Sequence, residues 1–219
     1  MTPSHFDNVA SQWDSPSKTN RARVFAEEIA RHVTLAPETV LLEFGCGTGL
    51  VSMYFQPHVT QVHLVDTSQG MLDIVQEKMA QDDIRNMTLH CGEIAELDLP
   101  HAHFDLIYTL MALHHVRDIA PVLQAFHTLL KPGGTLCIGD LEEEDGSFHG
   151  PNADVHKGFD TGKLGKMLAR AGFTAMHSQR MDVIEKQDAG GKAHAYPVFF
   201  LSARRVTAAG VCGRSFKLP

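Results

Sequence analysis

From about residue 37 the chain alternates short apolar runs with longer stretches whose apolar residues recur three and four positions apart. That alternation is the pattern of a parallel sheet wrapped by helices. Residues 40–44, 61–66, 87–91, 104–109 and 134–140 read as five successive strands. Between them, residues 68–79 place Met71, Leu72, Val75 and Met79 on one helical face, with Thr67 or Ser68 as N-cap. Residues 118–130 align Val122, Leu123, Phe126, Leu129 and Leu130. Asp118 caps this helix, Pro121 fits its first turn, and Lys131-Pro132-Gly133-Gly134 stops it. Residues 161–171 align Leu164, Met167, Leu168 and Ala171, and Gly172 ends them.

The pattern changes after residue 172. Residues 173–186 and 195–204 both read as strands, and Gly190-Gly191 marks a turn region between them. The expected fold class is therefore α/β, a doubly wound, seven-stranded, mostly parallel sheet with an antiparallel edge hairpin. An amphipathic helix over 19–32, with Ala22, Phe25, Ala26 and Ile29 on one face, precedes the sheet. Three divisions follow: a cap segment and helix over 1–35, one α/β domain over 36–205, and a tail over 206–219. The tail has no clear period and is a candidate for disorder.

The loop after the first strand carries the chemistry. Glu43-Phe44-Gly45-Cys46-Gly47-Thr48-Gly49 places glycines at alternate positions, which lets the backbone turn tightly and approach a ligand closely. The loop is expected to open a helix, whose first N–H groups would face the same place. Asp66 closes the second strand, at the position that reaches ribose hydroxyls in doubly wound folds. A dinucleotide site calls for G-x-G-x-x-G, and here the third glycine arrives one residue early, at Gly49. A tight strand-to-helix turn with no ligand has the same local pattern.

Composition narrows the partners. A formal net charge of -7 gives no overall basic field for a nucleic-acid backbone. Cys46, Cys91, Cys137 and Cys212 form no C-x-x-C pair. The first three fall in or beside strands expected to be buried, and they read as reduced, small apolar residues. Residues 1–10 lack the apolar stretch of a secretion signal, and no run is long enough for a membrane span, so a cytoplasmic protein is expected. The 14 histidines are scattered, and no metal site is expected. The trio His114, His149 and His156 lacks the i, i+4 or C-x-x-C spacing of metal ligands.

Five motifs in order resemble one family. They are E-F-G-C-G-T-G at 43–49, V-D-T-S-Q-G-M-L at 65–72, G-E-I at 92–94, F-D-L-I-Y-T-L-M-A-L-H-H-V at 104–116 and L-K-P-G-G at 130–134. As a set, spanning 40–140, they resemble the small-molecule branch of class I S-adenosyl-L-methionine (SAM)-dependent methyltransferases, the group compared with ubiquinone and menaquinone biosynthesis enzymes. The leader Phe6-Asp7 … Trp13-Asp14 is similar to that family's entry segment, where Tyr is commoner than Trp. The region after the fifth strand matches no single substrate class.

The resemblance implies SAM as cofactor, S-adenosyl-L-homocysteine as product, and in-line methyl transfer to a small-molecule acceptor. It assigns residues 36–205 as the SAM-binding domain. Glu43, Gly45, Cys46 and Gly47 would line the methionine part. Asp66 would accept from the ribose hydroxyls, with Thr67 at the ribose edge. Met71 would pack on adenine or, equally, in the helix core. Gly92, Glu93 and Ile94 would frame the adenine, Glu93 standing where relatives mostly carry Asp. Thr109 and Leu110 would leave the fourth strand where the methyl group meets its acceptor. His115 and His149 are the candidate catalytic residues of the acceptor pocket, His114 a second pocket histidine, and Phe148 and His156 lid residues. The acidic run 142–145 reads as a solvated face. A sulfonium methyl is already activated, so positioning outweighs acid–base chemistry and no catalytic dyad is required. Two alternatives remain: a non-catalytic SAM- or S-adenosylhomocysteine-binding module or partner subunit, and, against the glycine spacing, a nicotinamide-dependent oxidoreductase. No base-methylating N-P-P-Y-like run follows the fourth strand, where Thr109-Leu110-Met111-Ala112 stands.

Overall fold

The computed structural model describes residues 3–150, 153–187 and 191–206. Seven strands form one sheet: β1 (Val40–Phe44), β2 (Gln61–Asp66), β3 (Met87–Cys91), β4 (Phe104–Leu110), β5 (Leu130–Leu141), β6 (Phe173–Gln187) and β7 (Ala193–Arg205), in the order β3-β2-β1-β4-β5-β7-β6. The first five run parallel, whereas β7 pairs antiparallel with both β5 and β6. The expected α/β sheet with its antiparallel edge is the observed one.

Both faces of the central strands are apolar because helices cover both. Leu42 and Phe44 of β1 and Ile107 of β4 join one core with Phe126 and Leu168. Leu41, Leu106 and Tyr108, one residue out of phase, join the opposite core with Phe25, Leu72 and Val75. The first core is closed by α5 (Ile119–Leu129) and α6 (Thr161–Arg170), and the second by α2 (Pro16–His32) and α4 (Gln69–Gln81). Their caps are local and readable: Ser68 accepts from the Met71 N–H, Asp118 from that of Ala120, and Asp160 from that of Lys163.

Four expectations need correction. A short helix α1 (Pro3–Val9) and a 3₁₀ turn at Ala10–Gln12 occupy the leader, where no helix was expected. The helix expected directly after the glycine loop is only α3 (Ser52–Phe55): it starts late because Gly45, Gly47 and Gly49 all take left-handed φ values (64°, 51° and 75°), and it gives way to a 3₁₀ turn at Gln56–His58 that contains Pro57. Strand β5 starts at Leu130 and so absorbs the Lys-Pro-Gly-Gly stretch. Cys91, at the end of β3, is exposed, whereas Cys46 and Cys137 are buried. Cys212, the tail beyond Val206 and Gly190 lie outside the described residues. No described helix is long and apolar enough to cross a membrane.

Candidate functional site

Between β1 and β4 the strand order reverses, and the chain leaves the two strands toward opposite sides. In open α/β sheets that reversal leaves a crevice at the carboxyl ends of the strands. Here it opens into a cavity of about 790 Å³, within the range of small-molecule sites.

One end is built by the loop after β1. The Gly45 and Cys46 N–H groups donate to the Val65 carbonyl at 2.8 and 3.1 Å, which ties the loop to the end of β2. A Cβ on Gly45 would stand 2.3 Å from the Cβ of Ala112, so the loop and the end of β4 approach as closely as glycine allows. Asp66 faces this loop. Its Oδ2 accepts from Gly47 N–H at 2.7 Å and its Oδ1 from Ser68 N–H at 2.9 Å. A carboxylate accepts about four hydrogen bonds, so two directions remain for a ligand. Burial holds the Asp66 carboxyl above its ordinary range.

Glu43 is 2% exposed and lies beneath the loop. Its Oε2 accepts from the Ser52 N–H at 3.1 Å and from the Ser52 hydroxyl. Ser52 Oγ lies 2.8 Å from the Tyr108 hydroxyl, closing a buried three-residue chain. Glu43 therefore serves the first turn of α3 as well as lining the cavity. Burial pushes its carboxyl up to about 8, against the lowering effect of the Ser52 hydrogen bonds.

The leader closes this end. Phe6 and Trp13 line the cavity and meet edge to face at 5.7 Å. Two aspartates pin them down. Asp7 Oδ1 accepts from Ser68 Oγ at 2.6 Å and from Gly70 N–H at 2.9 Å. Asp14 accepts from the Thr48 hydroxyl and, at 2.8 Å, from Lys78 Nζ, which also donates to the Thr48 carbonyl.

The far end is aromatic and imidazole-rich. His114, in the 3₁₀ turn Leu113–His115 after β4, is 1% exposed, and its Nδ1 lies 2.6 Å from Oδ1 of Asp140, itself fully buried. A carboxylate only accepts, so His114 donates from Nδ1. The Asp140 carboxylate also accepts from the backbone N–H groups of His114 at 3.2 Å and Leu141 at 2.7 Å. His115 and His149 lie tilted beside His114, with ring centroids 4.0 and 5.0 Å away. Burial, then the neighbouring His114, lowers His115 to about 2 and His149 to about 4, so both rings are neutral at pH 7. His149 stands on the loop after β5, where Glu144 accepts from the N–H groups of Gly146 and Phe148 at 2.8 and 3.1 Å. The acidic run is thus partly structural: Glu142 pairs with Arg180 at 2.6 Å and Glu143 with Lys163 at 3.2 Å.

The cavity gathers most of the expected residues. Glu43, Gly45, Cys46, Gly47, Asp66, Thr67, Met71, Gly92, Glu93, Leu110, His115 and His149 all line it. Thr109 and Ile94 do not. Strand β4 runs one residue further than expected, and its alternation turns Leu110 to the cavity and buries Thr109 in the sheet. Ile94 packs in the core with Phe44 and Val65. His156, expected among the lid residues, packs tilted against Phe159 at 5.3 Å and donates its N–H to the His114 carbonyl. Lys18, Arg21, Lys186 and Met111 line the cavity without having been singled out. Met111 carries the one available signal, since it directly follows the fourth strand, and it takes a left-handed φ of 56° there. Lys18, Arg21 and Lys186 are brought in by α2 and β6 from distant sequence, which no local pattern announces, and Arg117 lines the cavity as well.

Comparison with known proteins agrees with this geometry. Residues 41–134 match the family described as "Methyltransferase domain". An uncharacterised methyltransferase of Schizosaccharomyces pombe is 33% identical over 142 residues, covering 61% of this chain and 48% of that protein. A ubiquinone biosynthesis O-methyltransferase of Coxiella burnetii is 29% identical over 141 residues, covering 62% of this chain and 59% of that protein. The chain thus spans about half the length of the curated relatives it matches. Among solved structures, a SAM-dependent methyltransferase from Aquifex aeolicus superposes with a TM-score of 0.67 at 22% identity, covering 94% of this chain and all of that one. Residues 41–134 thus match the methyltransferase-domain family, and the sheet that carries them has the fold of these solved structures.

Proposed function

We propose that this chain is a SAM-dependent methyltransferase acting on a small-molecule acceptor. The observation that carries the reading is one continuous cavity, with the glycine loop and Asp66 at one end and Leu110, Met111, Phe148 and His149 at the other.

The residues present fit SAM. The ligand end is a backbone loop packed against Ala112 so closely that position 45 has no room for a Cβ, flanked by the carboxyls of Glu43 and Asp66. Carboxyls suit a cationic sulfonium and ammonium and repel a pyrophosphate. Lys78, the nearby cation, is already held by Asp14. When bound, SAM supplies an activated methyl group. Asp66 then orients the ribose through its two remaining acceptor directions, and Gly45–Gly47 let the backbone approach. Phe6 and Trp13 exclude water above the loop, which strengthens the dipoles beneath. Leu110 and Met111 shape the passage in which the acceptor atom must lie in line, a proximity contribution of several kcal/mol, about 7–11 in the best intramolecular cases. Lys18, Lys186 and Arg117 favour acceptors that carry an anionic group, whereas Arg21 is already paired with Asp182 at 2.9 Å.

The test is transfer of an isotopically labelled methyl group from SAM to a panel of phenols, carboxylic acids, amines and thiols. Label should appear in a small molecule with the wild type and be lost with Asp66→Ala. Binding without transfer to any class would reduce the protein to a cofactor-binding module.

A further inference from the structure

We infer that His114, His115 and His149 form a three-imidazole site for a first-row divalent transition metal, at the acceptor end of the cavity. One ring nitrogen from each lies within 4.8 Å of the others. Among the described residues, His114 Nε2, His115 Nδ1 and His149 Nε2 are buried and have no hydrogen-bond partner. His114 is 1% exposed and lines the cavity. Buried polar atoms are almost always satisfied, so three converging orphans on adjacent rings ask for a shared partner. Ring-to-ring hydrogen bonding does not satisfy them, since none of the three nitrogens has a partner here.

The surroundings are those of a metal ligand set. Asp140 holds His114 by Nδ1 at 2.6 Å, and its carboxylate is itself fixed by two backbone N–H groups. That arrangement sets the tautomer, aims Nε2 outward and raises ligand basicity, as carboxylate–histidine pairs do behind bound metals. Imidazole sets of this kind suit Zn²⁺, Fe²⁺, Ni²⁺ or Cu²⁺. Tetrahedral ligation at about 2.0–2.1 Å brings nitrogens to about 3.3 Å, so the three must close by up to about 1.5 Å. His149 stands on a loop rather than a strand and supplies that movement. Three protein ligands leave a position open toward the cavity, for water or for a hydroxyl- or thiol-bearing ligand. The site binds metal whether or not methyl transfer occurs, so it stands apart from the proposed activity.

The test uses the full chain with any affinity tag removed and the metal stripped by chelation. Co²⁺ is titrated by visible absorption and Zn²⁺ by competition calorimetry, with no cofactor or acceptor present. One equivalent should bind, with the intense ligand-field bands of four-coordinate Co²⁺. His149→Ala should lower the affinity at least tenfold while leaving the thermal transition in place. Asp140→Asn, which removes no ligand, should weaken binding about 10- to 100-fold. Absence of stoichiometric binding, or binding that His115→Ala and His149→Ala leave unchanged, would overturn the site. Binding of S-adenosylhomocysteine, measured separately on the same stripped protein, keeps that outcome distinct from failure of the methyltransferase reading.

Discussion

Two carboxyl groups set the character of the cavity, and each does so through its own environment. Glu43 holds its proton to about pH 8 in the free protein because it is buried. A cationic ligand favours the carboxylate, so its binding below pH 8 must expel that proton. Affinity for SAM should therefore rise from pH 6 to pH 8 and then level off, with proton release visible by calorimetry in buffers of different ionisation enthalpy. Ser52→Ala removes a hydrogen bond that favours the carboxylate and should move that levelling point upward. An affinity flat across this range would separate Glu43 from the ligand. Gly45→Ala meets both a left-handed φ and the Ala112 side chain, and should abolish binding. Such residues were legible in the sequence because backbone geometry dictates them. Gly45, Gly47 and Asp66 are specified by a turn and a strand end. Thr109 was not, because the alternation along β4 turns Leu110 rather than Thr109 to the cavity, nor was Ile94, which lies in the loop beyond β3 where no strand period applies and packs in the core. Asp140 was missed because it sits inside a strand, 26 residues from its partner His114, and only the fold brings them together.

The elements that hold the site differ in how they do so. Helix α2 is fastened to the sheet by apolar packing, with Phe25 fully buried 6.0 Å from Phe200. Phe25→Ala should cost about 3–5 kcal/mol of stability, read as a lower midpoint in denaturant. The leader is held mainly by polar contacts from Asp7 and Asp14. Trp13→Ala should thus leave the thermal midpoint nearly unchanged and weaken S-adenosylhomocysteine binding about tenfold, the worth of about 1.4 kcal/mol. Trp13 is the chain's single tryptophan, so its fluorescence should change as the cavity fills. Helices α4, α5 and α6 were readable from apolar period and cap residues. Helix α1 was not, being too short and polar to show a period. At the sheet edge, His63 stacks on His90 at 5.1 Å, and burial, then the two neighbouring histidines, lowers it to about 4. The unfolded chain takes up that proton first, so this contribution to stability is complete above about pH 6.5 and declines as pH falls toward 4. His63→Gln should flatten the fall in denaturant midpoint between pH 6.5 and 4 relative to the wild type.

At the scale of the molecule, sheet order decides where chemistry can occur. The reversal between β1 and β4 sets the glycine loop, Asp66 and the end of β4 around one hollow, while the antiparallel pair β6–β7 extends the sheet beyond β5. The α/β class and the hairpin followed from patterning, whereas the contribution of β6 to the cavity, through Ile184 and Lys186, required the assembled sheet. The central claim is that the hollow and Asp66 together grip an adenosyl ligand without a pyrophosphate. Calorimetry of S-adenosylhomocysteine and of NADH, on the wild type and on Asp66→Ala, tests it most directly. The account predicts one equivalent of S-adenosylhomocysteine, weakened about a hundredfold by the substitution through loss of two hydrogen bonds to a charged group, and no binding of NADH. Tight NADH binding, or S-adenosylhomocysteine binding that Asp66→Ala leaves intact, would contradict it.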